Sequence, residues 1–280
     1  MDAASIVRDT SRCGTDTIAG LRLEWAVVCD VGRVREANED AALVSPGEYL
    51  LADGMGGHES GEVASETALR TLSGVASLRD RSETQVALID LLSRAQERIG
   101  EIAGGSDRRA GTTVTGAVLV MHEDAPHWLV FNIGDSRTYR LQQGVLEQIT
   151  VDHSQVQEFV DAGFMTREQA RVDPRRNVIT RALGAGMINP RPDFFSLRAL
   201  PGDVLLVCSD GLTGELPDEE IADVLSGADS AEDAAAQLLE AALALGAHDN
   251  VTIVVIAVHN AADTVVESDT DGAADPAGVR

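Results

Sequence analysis

The sequence contains no lysine and few aromatic residues. All 22 of its Lys and Arg residues are arginines, which excludes the lysine-dependent chemistry of P-loop nucleotide binding and of Schiff-base enzymes. Only five Phe, two Trp and two Tyr residues occur, although the hydrophobic fraction is 44%. We therefore expect a core of Ala, Val and Leu, and 280 residues are enough for one sizeable domain.

Positive charge is also scarce, because 46 acidic residues give a formal net charge of -24. Such a negative charge repels phosphate backbones, so nucleic acid is not a favoured partner. The acidic residues form either a solvated surface or ligands for cations. The three cysteines cannot all pair, and no apolar run reaches the roughly 18 residues of a membrane span. The sequence therefore predicts a cytoplasmic protein with no membrane partner.

Apolar periodicity predicts both strands and helices. Strands are predicted at 23–29, 49–52, 114–121, 128–133, 204–208 and 251–258. Helical spacing predicts helices at 64–75, 88–99 and 238–245. Ser82 and Ser230 are the predicted capping residues of the second and third helices. The order of elements favours an α+β sandwich in which helices cover antiparallel sheets.

Three further segments differ from this pattern in composition. Residues 1–21 show no periodicity, which predicts a flexible extension before a domain at 22–259. Residues 260–280 are typical of an acidic disordered tail. The polar segment 152–192 is predicted to be an excursion with short helical pieces.

Acidic residues stand at the ends of several predicted strands. Asp53-Gly54 and Asp210-Gly211 follow apolar strands, Asp135 follows another, and Asp249 precedes the last. A single Asp-Gly pair is usually a turn, but carboxylates that converge in a dry site need cations to stay ionised. Oxygen ligands without a Cys or His cluster select Mg²⁺ or Mn²⁺. Two such ions can generate a bridging hydroxide that attacks phosphorus, so we expect a phosphoryl hydrolase.

Other functions fit parts of the sequence. Gly134-Asp135-Ser136 is similar to the nucleophile block of serine esterases, but their late Asp-x-x-His is missing after Ser136. Dinucleotide binding is excluded, because Glu59 stands where G-x-G-x-x-G needs its last glycine. A non-catalytic binding module is expected to lack Asp53, Asp210 or Asp249, and all three are present.

Six motifs follow one another along the chain. They are Gly32-Arg33-Val34-Arg35 with Asn38-Glu39-Asp40, Asp53-Gly54-Met55-Gly56-Gly57-His58, Gly111-Thr112-Thr113, Gly134-Asp135-Ser136-Arg137 with Tyr139, Ser209-Asp210-Gly211-Leu212, and Asp249-Asn250 with Thr252. Because all six motifs occur in this order, the sequence resembles the bacterial metal-dependent serine/threonine protein phosphatases of type 2C over about residues 22–259. The resemblance implies a four-layer α-β-β-α sandwich with two central antiparallel sheets flanked by helices. It also implies phosphorylated proteins as partners, namely Ser/Thr kinases and their substrates, with 152–192 as the variable flap.

The same resemblance implies a metal site with two tight Mn²⁺ or Mg²⁺ ions. Asp53 would bridge both ions, with Asp210 and Asp249 completing the first and the carbonyl of Gly54 on the second. Glu39 and Asp40 would orient waters on the second ion. Asp135, together with Asp210, would bind a third and weaker ion.

Two basic residues complete the catalytic set that the resemblance implies. Arg35 would hold the substrate phosphate through a bidentate fork, although an arginine on a strand can also be a plain surface residue. His58 would be the general acid for the leaving serine or threonine alkoxide, although a lone histidine in a glycine-rich loop is more often merely exposed.

Overall fold

A computed structural model describes residues 4–56, 59–75, 80–102, 110–188 and 190–262 of the chain. The strands in these ranges are β1 (Ser5–Val7), β2 (Thr10–Ile18), β3 (Leu21–Asp30), β4 (Ala41–Ser45), β5 (Glu48–Ala52), β6 (Gly54–Met55), β7 (Gly111–Thr112), β8 (Val114–His122), β9 (Ala125–Ile133), β10 (Arg137–Gln142), β11 (Val145–Gln148), β12 (Leu183–Gly184), β13 (Asp193–Arg198), β14 (Val204–Cys208) and β15 (Val251–Asn260). The helices are α1 (Glu59–Leu72), α2 (Arg81–Ile102), α3 (Gln155–Asp161), α4 (Arg167–Val172), α5 (Asp210–Thr213), α6 (Asp218–Gly227) and α7 (Ala231–Leu245).

Two six-stranded antiparallel sheets form the centre of the fold. One sheet has the order β1-β4-β5-β8-β9-β13, and the other has the order β11-β10-β14-β15-β3-β2. Helices α1 and α2 pack on the first sheet, and α7 packs on the second. One apolar cluster lies between the sheets, and one lies beneath each helical layer. The predicted four-layer sandwich is therefore confirmed.

The continuous apolar runs are strands that are buried on both faces. In β14, Leu205 and Val207 contribute to the cluster between the sheets, whereas Leu206 and Cys208 contribute to the cluster beneath α7. A strand covered on both sides needs apolar residues at every position, so its limits coincide with the predicted 204–208. The other five predicted strands are also confirmed, each within longer observed limits.

The three predicted helices are present, but one of their predicted caps is wrong. The Ser230 hydroxyl caps α7 by accepting a hydrogen bond from the Asp233 amide at 3.0 Å, as predicted. Helix α2 begins earlier than expected, and the Asp80 carboxylate accepts from the Ser82 amide at 2.7 Å. Asp80 therefore takes the capping role predicted for Ser82, because aspartate caps helices as well as serine does.

The prediction of a flexible extension at 1–21 is wrong for the described residues from Ser5 onward. Strand β1 pairs with β4, and β2 pairs with β3 along its whole length. Residues 10–18 are mostly polar because β2 is the outermost strand of its sheet and one of its faces is exposed. Such an edge strand lacks the apolar alternation that predicts strands.

The ends of the domain follow from the last strand. Strand β15 ends at Asn260, and the amide of Ala261 donates to the carbonyl of Gly20 at 3.2 Å. The predicted acidic tail lies outside the described residues from position 263 onward.

The excursion at 152–192 contains α3, α4 and the short β12. None of the helices in the described ranges is long and apolar enough to cross a membrane.

Candidate active site

Acidic residues from both sheets meet at one rim of the sandwich. Asp53 follows β5 of the first sheet, whereas Asp210 and Asp249 flank the neighbouring strands β14 and β15 of the second. Burial raises the pKa of Asp53 well above its usual value, and nearby carboxylates raise it further, namely those of Asp40, Asp210, Asp135 and Asp249. The structure therefore brings together the acids that the sequence places at separate strand ends.

Three other members of this acid cluster have raised pKa values for the same reason. Burial is the largest cause for each, and it raises the pKa of Asp210 to about 6 and that of Asp40 to about 7. The pKa of Asp135 is raised well above its usual range by burial and by the charge of Asp210. Ionised carboxylates are costly in such a site unless a cation balances them.

The donor set of the cluster fits a hard divalent cation. Asp40 Oδ2 and Asp135 Oδ1 are buried and have no hydrogen-bond partner among the described residues. In the same ranges, no three acidic, histidine or cysteine side chains are already arranged to hold a cation. Asp210 instead shares a hydrogen bond with Asp53, and Asp249 forms an ion pair with Arg35. Cation binding would replace these contacts and satisfy the buried oxygens with the oxygen ligands that Mg²⁺ and Mn²⁺ prefer.

Two threonines of the third motif fix the backbone of Asp53. The Asp53 amide donates to Thr113 Oγ1 at 3.0 Å, and the Thr113 amide donates to the Asp53 carbonyl at 2.9 Å. The Thr112 hydroxyl donates to the same carbonyl at 2.9 Å. These positioning contacts are not predicted from the sequence, although the motif Gly111-Thr112-Thr113 marks the residues that make them.

Glycine is required beside Asp53 because two chain segments approach closely there. The Gly54 amide donates to the Glu39 carbonyl at 3.2 Å, and a Cβ atom on Gly54 would lie 2.5 Å from that oxygen. A Cβ atom on Gly61 would lie 2.5 Å from Glu39 Oε1. The Glu39 and Gly54 backbones are therefore in direct contact.

Arg35 lies beside Asp249 at the solvent side of the cluster. Its Nη2 donates to Asp249 Oδ2 at 2.6 Å. Asn250, the next residue, donates from its side-chain amide to the carbonyls of Val31 and Ala37 at 2.9 and 3.0 Å. Asn250 therefore fixes the loop that carries Arg35, a role that is not predicted from the sequence.

Asp135 occupies a turn that His153 holds from the base of the excursion. Gly134 has a φ of +115°, and its amide donates to His153 Nδ1 at 3.0 Å. His153 Nε2 donates to Asp193 at 3.0 Å, and burial lowers the pKa of His153, which favours the neutral ring. A lone histidine outside the six motifs gives no sequence signal for this role.

A cavity of about 400 Å³ lies beside this turn. Asp135 and Asp210 line one side of it, and residues of α3 and α4 line another. Arg137 also lines this cavity, and its guanidinium donates to Asp152 of the excursion at 2.7 Å. The predicted excursion therefore contributes to the space next to the acid cluster.

Two further predictions concern Ser136 and His58. Ser136 is fully buried, and its hydroxyl pairs with that of Thr113 at 2.8 Å, so it is closed to an ester substrate. His58 lies outside the described residues, and its role stays a prediction.

Known proteins resemble this chain over most of its length. The family described as Protein phosphatase 2C matches residues 33–259. The serine/threonine phosphatase stp of Listeria welshimeri is 34% identical over 239 residues, which are 81% of this chain and 92% of that protein. The crystal structure of the Mycobacterium tuberculosis serine/threonine phosphatase PstP/Ppp has a TM-score of 0.77 at 34% identity, over 85% of this chain and 99% of that one.

A second solved structure bears on the metal. It is the catalytic domain of the serine threonine protein phosphatase PstP in complex with 2 manganese ions, with a TM-score of 0.73 at 34% identity. It covers 85% of this chain and 99% of that chain. The chain therefore belongs to the bacterial type 2C family of metal-dependent serine/threonine protein phosphatases, as its motifs predict.

Proposed function

We propose that this chain hydrolyses phosphoserine and phosphothreonine in proteins and uses Mn²⁺ or Mg²⁺ to do so. The observation that carries the proposal is the acid cluster at the rim shared by the two sheets, in which Asp40 and Asp135 are buried and Asp53 and Asp210 are half-buried. Two divalent cations bound there would lower the pKa of a shared water toward neutrality and supply the hydroxide for in-line attack on phosphorus.

The residues would divide into ligands of three cations. Asp53 would be a ligand of both tight cations, with Asp210 and Asp249 completing the first and the Gly54 carbonyl on the second. Asp135 would join Asp210 in holding a third, weaker cation. The burial of Asp135 and the effect of the Asp210 charge on its pKa support this pairing.

Glu39 and Asp40 act on the second cation through water. The carbonyl of Glu39 accepts from the Gly54 amide, which supports their assignment to the same cation. Asp40 is 1% exposed and is fixed by its backbone, so its carboxylate can orient a water.

Arg35 binds the phosphoryl group of the substrate. Its guanidinium contacts Asp249, and a cation on Asp249 would compete for the same carboxylate. Release of this contact leaves two parallel N–H groups for the phosphate oxygens. His58 donates the proton that the serine or threonine alkoxide needs on leaving, an assignment that rests on the motif alone.

The substrate protein lies against the cavity beside the excursion. This cavity is lined in part by Asp135 and Asp210, so a peptide bound in it would lie next to the proposed cation site, which supports this assignment. We propose Ser/Thr protein kinases and their substrates as the targets, so that the enzyme counteracts those kinases. The three cysteines are free thiols, which supports a reducing compartment such as the cytoplasm.

Phosphate release from three substrates tests this function. The purified chain is assayed with a phosphothreonine peptide, the same peptide carrying phosphotyrosine, and a carboxylic ester, each with Mn²⁺ or with excess chelator. We expect Mn²⁺-dependent turnover of the phosphothreonine peptide, with much slower turnover of the other two. Equal turnover in chelator, or faster hydrolysis of the ester, contradicts the proposal.

A further inference from the structure

The N-terminal segment consists of β1, β2 and the turn Arg8-Asp9 between them. It precedes the residues 33–259 that match the family. Strand β1 joins the edge of one central sheet, and β2 joins the edge of the other, so the turn connects the two sheets. Both residues of the turn contact the segment Asn38-Glu39-Asp40, which carries part of the acid cluster.

Arg8 holds the backbone of this segment at two points. Its Nε donates to the Asp40 carbonyl at 2.8 Å. Its Nη2 donates to Ser65 Oγ at 3.0 Å, and the Ser65 hydroxyl donates to the Glu39 carbonyl at 2.6 Å. The Arg8 side chain is only 14% exposed, and Nη1 pairs with Glu62 at 2.8 Å. The Arg8 guanidinium is therefore held in one orientation by its contacts with Asp40, Ser65 and Glu62.

Asp9 holds the side chain of Asn38. Asp9 has a φ of +52°, and its Oδ1 accepts from Asn38 Nδ2 at 2.8 Å. Asn38 Oδ1 in turn accepts from the Asp40 amide at 3.2 Å. Asn38 is 4% exposed, so solvent cannot replace these contacts without a local opening.

We propose that Arg8 and Asp9 are positioning residues for the divalent cations, an inference that rests on the proposed function. The turn holds Asn38-Glu39-Asp40 in place against the mutual repulsion of the buried carboxylates. The same Glu39 carbonyl that Ser65 contacts also accepts from the Gly54 amide, so the constraint reaches the residue beside Asp53. Hydrogen-bond partners that orient metal ligands commonly change metal affinity 10–100-fold.

Mn²⁺ binding to the full chain, measured by titration calorimetry at 20 °C, tests this inference without relying on turnover. The variant is Arg8→Ala, and the matched control is Arg12→Ala, whose exposed guanidinium donates to Ser5 Oγ in the same N-terminal segment. We expect Arg8→Ala to weaken Mn²⁺ binding about tenfold, with Arg12→Ala within twofold of the parent. At saturating Mn²⁺, kcat on a phosphothreonine peptide should stay within about threefold of the parent.

Equal Mn²⁺ affinity in Arg8→Ala and the parent overturns the inference. If Arg8→Ala then has a lower Tm than the parent in chelator, the role of Arg8 is purely structural. If Arg8→Ala does not fold, Asp9→Gly tests the same point, because glycine accepts the positive φ and removes only the acceptor for Asn38. Unchanged affinity in Asp9→Gly contradicts the inference, and weaker binding supports it. A parent that binds Mn²⁺ but hydrolyses no phosphopeptide contradicts the proposed function alone, since the comparison of affinities still decides the role of Arg8.

Discussion

The Arg35 guanidinium donates to the Asp249 carboxylate, with 2.6 Å between Nη2 and Oδ2. The arginine side chain is 50% exposed and the aspartate side chain 30%, so solvent screens the pair. Exposed ion pairs of this kind contribute about 1 kcal/mol or less. A cation bound to Asp249 in the proposed site would therefore displace Arg35 at low cost, and the arginine would then be available to the substrate phosphate.

Replacing Arg35 should separate substrate binding from cation binding. In Arg35→Ala we expect the KM for a phosphothreonine peptide to rise about tenfold and kcat to fall, because a phosphate ligand acts in both the ground state and the transition state. The Mn²⁺ affinity should be unchanged or higher, because Asp249 loses a competitor. Steady-state kinetics and calorimetry measure both, with Arg33→Ala as the control, since Arg33 donates to the carbonyl of Leu243 instead. Weaker Mn²⁺ binding in Arg35→Ala would refute the competition.

Asp135→Ala distinguishes a cation ligand from a turn residue. As a ligand of a third cation, its loss should lower kcat about tenfold, or about 1.4 kcal/mol, and flatten the dependence on millimolar metal. As a turn residue, its loss should lower only the stability, by roughly 0.5–1.5 kcal/mol. A metal titration of the rate beside a thermal melt measures both, with the exposed Asp90→Ala as control. A parental titration curve with a lower Tm would assign Asp135 to the turn.

Glu48 should make stability depend on pH. It is 2% exposed, and burial raises its pKa from 4.5 to about 8. Between these values the folded state keeps a proton that the unfolded state has lost, so this contribution is complete below pH 4.5 and is lost as pH rises through 8. Glu48→Gln should therefore be more stable than the parent at pH 8.5, by more than about 1.4 kcal/mol, the equivalent of one pKa unit.

Chemical denaturation at pH 5, 7 and 8.5 measures the effect of Glu48→Gln at saturating Mg²⁺. The control is Glu123→Gln, at a side chain that is 86% exposed. A stability difference between Glu48→Gln and the parent that stays constant across these pH values would show that the buried carboxyl does not titrate in this range.

His58→Ala tests the leaving-group proton. We expect a large loss of kcat on phosphoserine and phosphothreonine peptides, and a much smaller loss on an aryl phosphate, whose leaving group is stable without a proton. The ratio of the two losses is the measurement. Equal losses on both substrate types would remove the acid role from His58.

Much of the fold could be predicted because its central strands are apolar on both faces. Strand β14 occupies its predicted limits because neither face tolerates polar residues. The edge strand β2 could not be predicted, because one of its faces is exposed to solvent. Backbone pairing with β3 holds it in place. Periodicity reports burial, so a strand that is held mainly by backbone hydrogen bonds gives little signal.

The acids of the site could be predicted, but the residues that hold them could not. Asp53 and Asp210 stand at apolar strand ends, a local pattern that is visible in the sequence. Arg8, Asn250 and His153 bind backbone groups that lie 32, 211 and 19 residues away in the chain, respectively. Such contacts depend on which strands become neighbours, and this information is absent from local spacing.

Mn²⁺-dependent phosphate release by the parent and by Asp53→Asn tests the central claim most directly. Asp53 is the proposed ligand shared by both tight cations, so its loss should remove cation binding and catalysis together. We predict that Asp53→Asn folds, binds Mn²⁺ far more weakly and loses nearly all turnover of a phosphothreonine peptide, whereas Asp90→Asn behaves as the parent. Full turnover in Asp53→Asn, or in the parent with excess chelator, would contradict the account.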